Sequence, residues 1–142
     1  MYVNETKIKV RYVETDQMGI VHHSNYYAWF EVGRTEFFSH TGMTYGQLEK
    51  QGILFPLIES SCVYKEGARY EDQLIIRTWI HELKGARVIF NYEVVRDKDG
   101  KVLAKGQTVH AFVNKDFKPI NIKKENKMVW NRLYELSVES NR

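Results

Sequence analysis

Residues 5–13, ETKIKVRYV, alternate: Ile8, Val10 and Tyr12 fall on one side, Lys7, Lys9 and Arg11 on the other. Successive side chains of a strand face opposite ways, so this period of two predicts a half-buried strand with Tyr12 inward, four residues before Asp16. The period then changes. Tyr26, Phe30, Gly33 and Phe37 recur at helical spacing, and Trp29, Val32 and Phe38 widen the stripe. Ser24 or Asn25 can cap this helix and Gly42 can stop it, giving a length of about sixteen residues. It is apolar around more than one face, which predicts that other structure wraps it. Thr44 and Gln47 form the T-x-x-Q pattern of a capping box, opening a short second helix through Lys50 that ends at Gly52.

Beyond residue 53 the pattern is that of strands, at 54–66, 72–83, 87–95 and 101–114. Pro56 belongs near the start of the first, where a missing N–H is tolerated. The segments KGA (84–86) and DKDGK (97–101) are tight, glycine-bearing turns, which imply antiparallel pairing. From Lys123 to Leu136, Met128, Leu133 and Leu136 stand among charges as in a short amphipathic helix. The expected fold class is α+β: five antiparallel strands curled around one long buried helix. Residues 1–142 read as one domain, with a core over about 4–115 and a tail or helix over 116–142.

Composition narrows the function. The apolar fraction of 43% and charged fraction of 27% are those of a globular protein. A net charge of +3 suits an anionic small molecule without demanding one. No basic block of five residues exists, which argues against nucleic acid; Lys115, Lys118, Lys123, Lys124 and Lys127 are spread among Asp116 and Glu125 as on a solvated face. Cys62 stands alone, so no internal disulfide can form, and a cytoplasmic location is expected. The first ten residues hold no apolar run and nowhere do eighteen apolar residues run together; neither a signal peptide nor a membrane span is expected.

Ionisable chemistry concentrates in ETDQMGIVHHSNYYAWFE, residues 14–31. Asp16 precedes a helix start, whose first N–H groups lack partners and carry the positive end of the helix dipole. A carboxylate and a set of amide donors are what acyl transfer needs, one to attack or to activate water, the other to hold an oxyanion. Aspartate also orders turns, and that role stands beside the catalytic one. Gly19, without a Cβ, suits both a tight turn and close approach of a substrate. His22 and His23 are adjacent and lack the spacing of a metal site, so no metal is expected. Cys62 sits in an apolar strand pattern as core filler.

The segment RYVETDQMGIVHHSNYYAWFEVGRTEFF resembles the signature of hotdog-fold acyl-CoA thioesterases of the 4-hydroxybenzoyl-CoA thioesterase and YbgC-like type. Tyr12, Asp16, Gly19, Ile20, Val21, His23, Tyr26, Glu31 and Arg34 match it. The resemblance implies a sheet wrapping a central helix, a homodimer with a continuous ten-stranded sheet, often paired into a homotetramer, and an active site at the dimer interface. No cofactor is implied. It gives Asp16 the role of nucleophile or general base and draws the oxyanion N–H groups from Val21, His22 and His23. His23 would orient Asp16, hold water or protonate the thiolate; His22 carries less weight. Tyr12 would hydrogen-bond near Asp16, or be a core tyrosine. Glu31 and Arg34 would form a structural i, i+3 ion pair. CoA phosphates need cations at a rim, for which Lys65, Arg69, Lys84 and Arg87 are candidates. An acyl-thioester hydratase or a non-catalytic acyl-CoA-binding protein are the competing readings.

Overall fold

The computed structural model describes residues 1–138; the last four residues of the expected tail, 139–142, lie outside them. Five strands, β1 (Asn4–Lys9), β2 (Leu57–Tyr64), β3 (Gln73–Lys84), β4 (Arg87–Arg96) and β5 (Lys101–Ala111), form one antiparallel sheet in the order β1-β3-β4-β5-β2. The helices are α1 (Ser24–His40), α2 (Tyr45–Lys50), α3 (Ile122–Glu125) and α4 (Lys127–Val138). The class is α+β, as expected, and its main helix has 17 residues.

Cross-strand pairing sets the inner face. Thr78 lies opposite Tyr92, Ile80 opposite Phe90, and Ile76 between Thr6 and Val94. Against this face α1 buries Tyr26, Trp29, Phe30, Gly33, Phe37 and Phe38. Two glycines allow the close approach: a Cβ on Gly33 would collide with Thr78 Oγ1, and one on Gly106 with the Phe30 ring. Phe30 stacks on Tyr92 with centroids 4.4 Å apart. Val32, expected in the apolar stripe, is 44% exposed, because its position turns away from the sheet alongside Glu31 and Thr35.

The short helix α2 opens as expected, with Thr44 Oγ1 accepting from Gln47 N–H and the Gln47 side chain accepting from Thr44 N–H. Asn126 divides the tail into two helices. There Val129, Leu133 and Leu136 are buried, whereas Met128, expected inward, is exposed. The Leu136 carbonyl accepts from Tyr2 N–H, closing α4 over the N-terminus.

Antiparallel order sorts the loops to two ends of the sheet. Residues 10–23, which follow β1, share one end with the 65–72 connection and the 97–100 turn. The β3–β4 turn and the entry to β2 occupy the other. A 12-residue strand, β3, separates them by roughly 36 Å at about 3.3 Å per residue.

Candidate active site

Strand β1 ends at Lys9, and the chain turns through a single 3-10 turn, Tyr12–Glu14. The expected alternation therefore stops before Tyr12, whose side chain is 76% exposed and meets Tyr70 edge-on at 5.6 Å. It is not an inward residue. A small hairpin follows: Thr15 bridges Val21, and Asp16 N–H donates to the Ile20 carbonyl at 2.9 Å. Gly19 closes its tip with φ of +83°, a conformation that disfavours a side chain.

Asp16 is half-buried at this tip. Its Oδ1 accepts from Met18 N–H at 2.8 Å, and no cation pairs with it among the described residues. The Arg69 guanidinium lies over Gly19, so Arg69 does reach this turn.

The backbone donors divide sharply. Gly19 N–H is taken by the Asp16 carbonyl, Val21 N–H by Ala68 at 2.8 Å, and His22 N–H by Glu14 at 2.8 Å. Of the three N–H groups expected at the oxyanion, two are thus occupied by the fold itself, as is that of Gly19. His23 N–H has no acceptor among the described residues. His23 is the N-cap of α1 and supplies no side-chain cap; the expected caps, Ser24 and Asn25, lie inside the helix. Asn25 instead donates to the Glu14 and His22 carbonyls, tying the hairpin to the first turn of α1.

Both histidine rings are exposed. They lie 4.2 Å apart, and His22 Nδ1 bonds the Ser24 hydroxyl at 2.8 Å. His23 faces Tyr64 of β2 at 6.3 Å and makes no hydrogen bond to Asp16. Among the described residues no three His, Cys, Asp or Glu side chains converge on a metal-sized space.

A cavity of about 520 Å³ opens at the other end of the sheet, lined by Glu31, Arg34, Tyr45, Phe55, Leu57 and His110 among others. Arg34 does not pair with Glu31 as expected. Its Nε donates to Tyr45 and its Nη1 to Tyr92, each at 2.9 Å, because α2 and the inner face of the sheet each bring a hydroxyl to it. Tyr92 and Thr108 share a 2.6 Å hydrogen bond, and His110 Nε2 lies 3.0 Å from Thr108 Oγ1. Burial, reinforced by the Arg34 charge, lowers the His110 pKa to about 4, so the ring is neutral near pH 7.

Lys84 and Arg87 belong to this far end and lie 4.0 and 3.6 Å from Glu82. The single chain does not bring them to Asp16. Lys65 directly follows β2 and is exposed at the Asp16 end, as is Arg69.

One residue near Asp16 was missed by sequence reasoning. Glu14 is only 4% exposed, and its carboxylate accepts from Arg11 N–H and from the Trp29 indole. A carboxylate adjoining a helix with a tryptophan fifteen residues on is a signal only once the fold is known.

The segment thus holds a carboxylate in a glycine turn and, seven residues on, a helix start whose His23 amide has no acceptor among the described residues. The family model described as "Thioesterase-like superfamily" matches residues 10–126. The chain belongs to that superfamily, among the hotdog-fold acyl-CoA thioesterases, and is a thioester hydrolase at the family level. Its relatives include the "Putative acyl-CoA thioesterase YneP" of Bacillus subtilis, 38% identical over 125 residues, covering 87% of this chain and 90% of the relative. The "Acyl-CoA thioesterase YbgC" of Haemophilus influenzae is 30% identical over 128 residues, 89% and 93% of the two chains. Among solved structures, a DHNA-CoA thioesterase from Staphylococcus aureus superposes with a TM-score of 0.86 at 34% identity, covering 95% of this chain and 90% of the other.

Proposed function

We propose that this protein hydrolyses acyl-CoA thioesters with Asp16 as the attacking or water-activating carboxylate and the His23 amide as the oxyanion donor. The observation that carries the reading is the His23 N–H at the start of α1, without an acceptor among the described residues, in the segment that also carries a carboxylate no described cation pairs with. The amide and the helix dipole stabilise negative charge on the thioester oxygen as the carbonyl becomes tetrahedral. Collapse breaks the C–S bond and expels the CoA thiolate, which takes up the proton the attacking water gives to Asp16. Where Asp16 itself attacks, water then cleaves the acyl–Asp16 anhydride to the acid and restores the carboxylate. Helix α1 plays the part of the family's central helix. A non-catalytic acyl-CoA binder has no use for an unpaired Asp16.

The site is completed by a second copy. Strand β2 is an edge that exposes Leu57, Ile58, Val63 and Tyr64. Antiparallel pairing of two β2 strands joins the sheets and sets the Leu57 end of one copy beside the Tyr64 end of the other. Lys84, Arg87 and the 520 Å³ cavity of one copy then approach Asp16 and His23 of its neighbour. The cations serve CoA phosphates with Lys65 and Arg69, and the cavity takes the acyl group. The lone thiol and the absence of a helix long and apolar enough to cross a membrane among the described residues accord with a cytoplasmic enzyme.

Thiol release from a panel of acyl-CoA esters tests the reading. Wild type turns over, and Asp16→Asn and Asp16→Ala lose at least about a hundredfold in kcat. Full turnover by both variants removes Asp16 from the mechanism. Binding without release by wild type makes the protein an acyl-CoA binder instead.

A further inference from the structure

Glu14 is the more deeply buried of the two carboxylates in the Glu14–Asp16 segment, and it does not line the 520 Å³ cavity around Arg34 and His110. Its six polar contacts join three pieces of chain. Oε1 accepts from Arg11 N–H at 2.8 Å, at the exit of β1. Oε2 accepts from Trp29 Nε1 at 3.0 Å, in the second turn of α1, and from Arg11 Nη2 at 3.3 Å. The Glu14 carbonyl accepts from His22 N–H at 2.8 Å and from Asn25 Nδ2 at 3.0 Å, and its own N–H donates to Arg11.

The consequence is geometric. Asp16 follows Glu14 by two residues, and His23 follows His22 by one. Glu14 is thus bonded at its carbonyl to the residue before the oxyanion donor and at its carboxylate to the helix that carries that donor. It also occupies the His22 amide, which leaves the His23 amide as the free one. Trp29 is itself 4% exposed, so the Glu14–Trp29 bond lies in the core and is poorly screened by water.

We propose that Glu14 is a positioning residue for thioester cleavage, setting the separation between the Asp16 carboxylate and the His23 amide through its bond to Trp29. This rests on the assignment of Asp16 and His23 above. Glu14 touches no substrate; displacing the Asp16 turn by a fraction of an ångström weakens the transition state and leaves the acyl and CoA contacts intact. The effect therefore falls on kcat.

The test uses Glu14→Gln, which keeps shape, removes charge and turns an amide NH2 toward one of the donors, and Trp29→Phe, which keeps the carboxylate and its Arg11 bonds but removes the indole donor together with part of the buried ring. Asp16→Asn runs alongside. Thiol release gives kcat and KM, binding of a non-hydrolysable thioether analogue of the best substrate reports affinity, and urea unfolding reports folding. Both variants are expected to lose about tenfold to a hundredfold in kcat, with KM and analogue affinity within about twofold of wild type. The double variant should be no slower than the slower single one, since both cut one linkage. Wild-type kcat in either folded variant overturns the proposal, as does a loss carried by KM. Should Glu14→Gln fail to fold, Trp29→Phe decides. Full turnover by Asp16→Asn would instead overturn the assignment of Asp16; an inactive Asp16→Asn beside a fully active Glu14→Gln overturns only the role of Glu14.

Discussion

The Arg34 guanidinium lies 2.9 Å from the Tyr92 hydroxyl, so a cation of helix α1 is held by a neutral phenol of the sheet rather than by Glu31 one turn away. Tyr45 takes a second guanidinium N–H. Arg34→Met is expected to destabilise the fold by about 1–3 kcal/mol, since it strips the buried Tyr92 and the half-buried Tyr45 hydroxyls of a donor. Because Arg34 lines the cavity, the same change should alter preference across an acyl-CoA panel more than it alters the rate on the best substrate. Urea unfolding and kcat/KM ratios read the two effects separately.

Gly33 allows α1 to lie directly on β3. Gly33→Ala drives a methyl into Thr78 Oγ1 and Ile76, so helix and sheet must separate. A cost of roughly 1–3 kcal/mol is expected from such overpacking, despite alanine's better helix propensity. Thermal unfolding of this variant beside Gly46→Ala, whose added methyl would meet nothing closer than 3.9 Å, isolates the clash.

His110 carries an acid sensitivity. Its folded pKa of about 4 lies below the ordinary value near 6.5, so the unfolded chain binds the extra proton first. The penalty is absent above pH 6.5 and grows as pH falls towards 4, reaching roughly 3 kcal/mol below that. His110→Gln should flatten stability across pH 4–6.5 while lowering it at pH 7, where bonds to Phe55 and Thr108 are lost. Urea midpoints against pH distinguish the two profiles.

Leu57 and Val63 mark the β2 edge. Replacing both with aspartate introduces four charges at the proposed β2–β2 seam and is expected to yield monomers in sedimentation, with at least about a hundredfold loss of kcat/KM. A monomer that keeps full activity would show that one chain suffices. Mixing Asp16→Asn chains with Arg87→Ala chains should restore one intact site in each hybrid dimer.

Hydrophobic period located β1, β3, β4, β5 and α1, which bury a face, and burial is what the period records. Helix α2 was legible from its capping box, and β2, which buries no residue, only as an apolar run. The period failed where the chain changes conformation inside a run. The alternation of ETKIKVRYV continues to Tyr12, but β1 ends at Lys9 and the 3-10 turn exposes that ring. Val32 and Met128 are apolar residues on outward faces, which composition cannot reveal. The candidate site was legible as a segment, with Asp16 and the helix start adjacent in sequence. Which amide is free was not, since it depends on Ala68, 47 residues beyond Val21, accepting one bond and Glu14 another. Lys84 and Arg87 were legible as cations, but their placement at the far end follows from strand direction alone.

The free donor at position 23 belongs to the main chain, an atom that every residue except proline carries. His23→Ala would leave it in place, and so would any other side chain compatible with a helix start. Scanning the segment by alanine substitution would pass over half of the proposed machinery without registering it. Only proline at that position, or an ester replacing the amide, deletes the hydrogen; here the genetic code has almost no purchase on a functional atom.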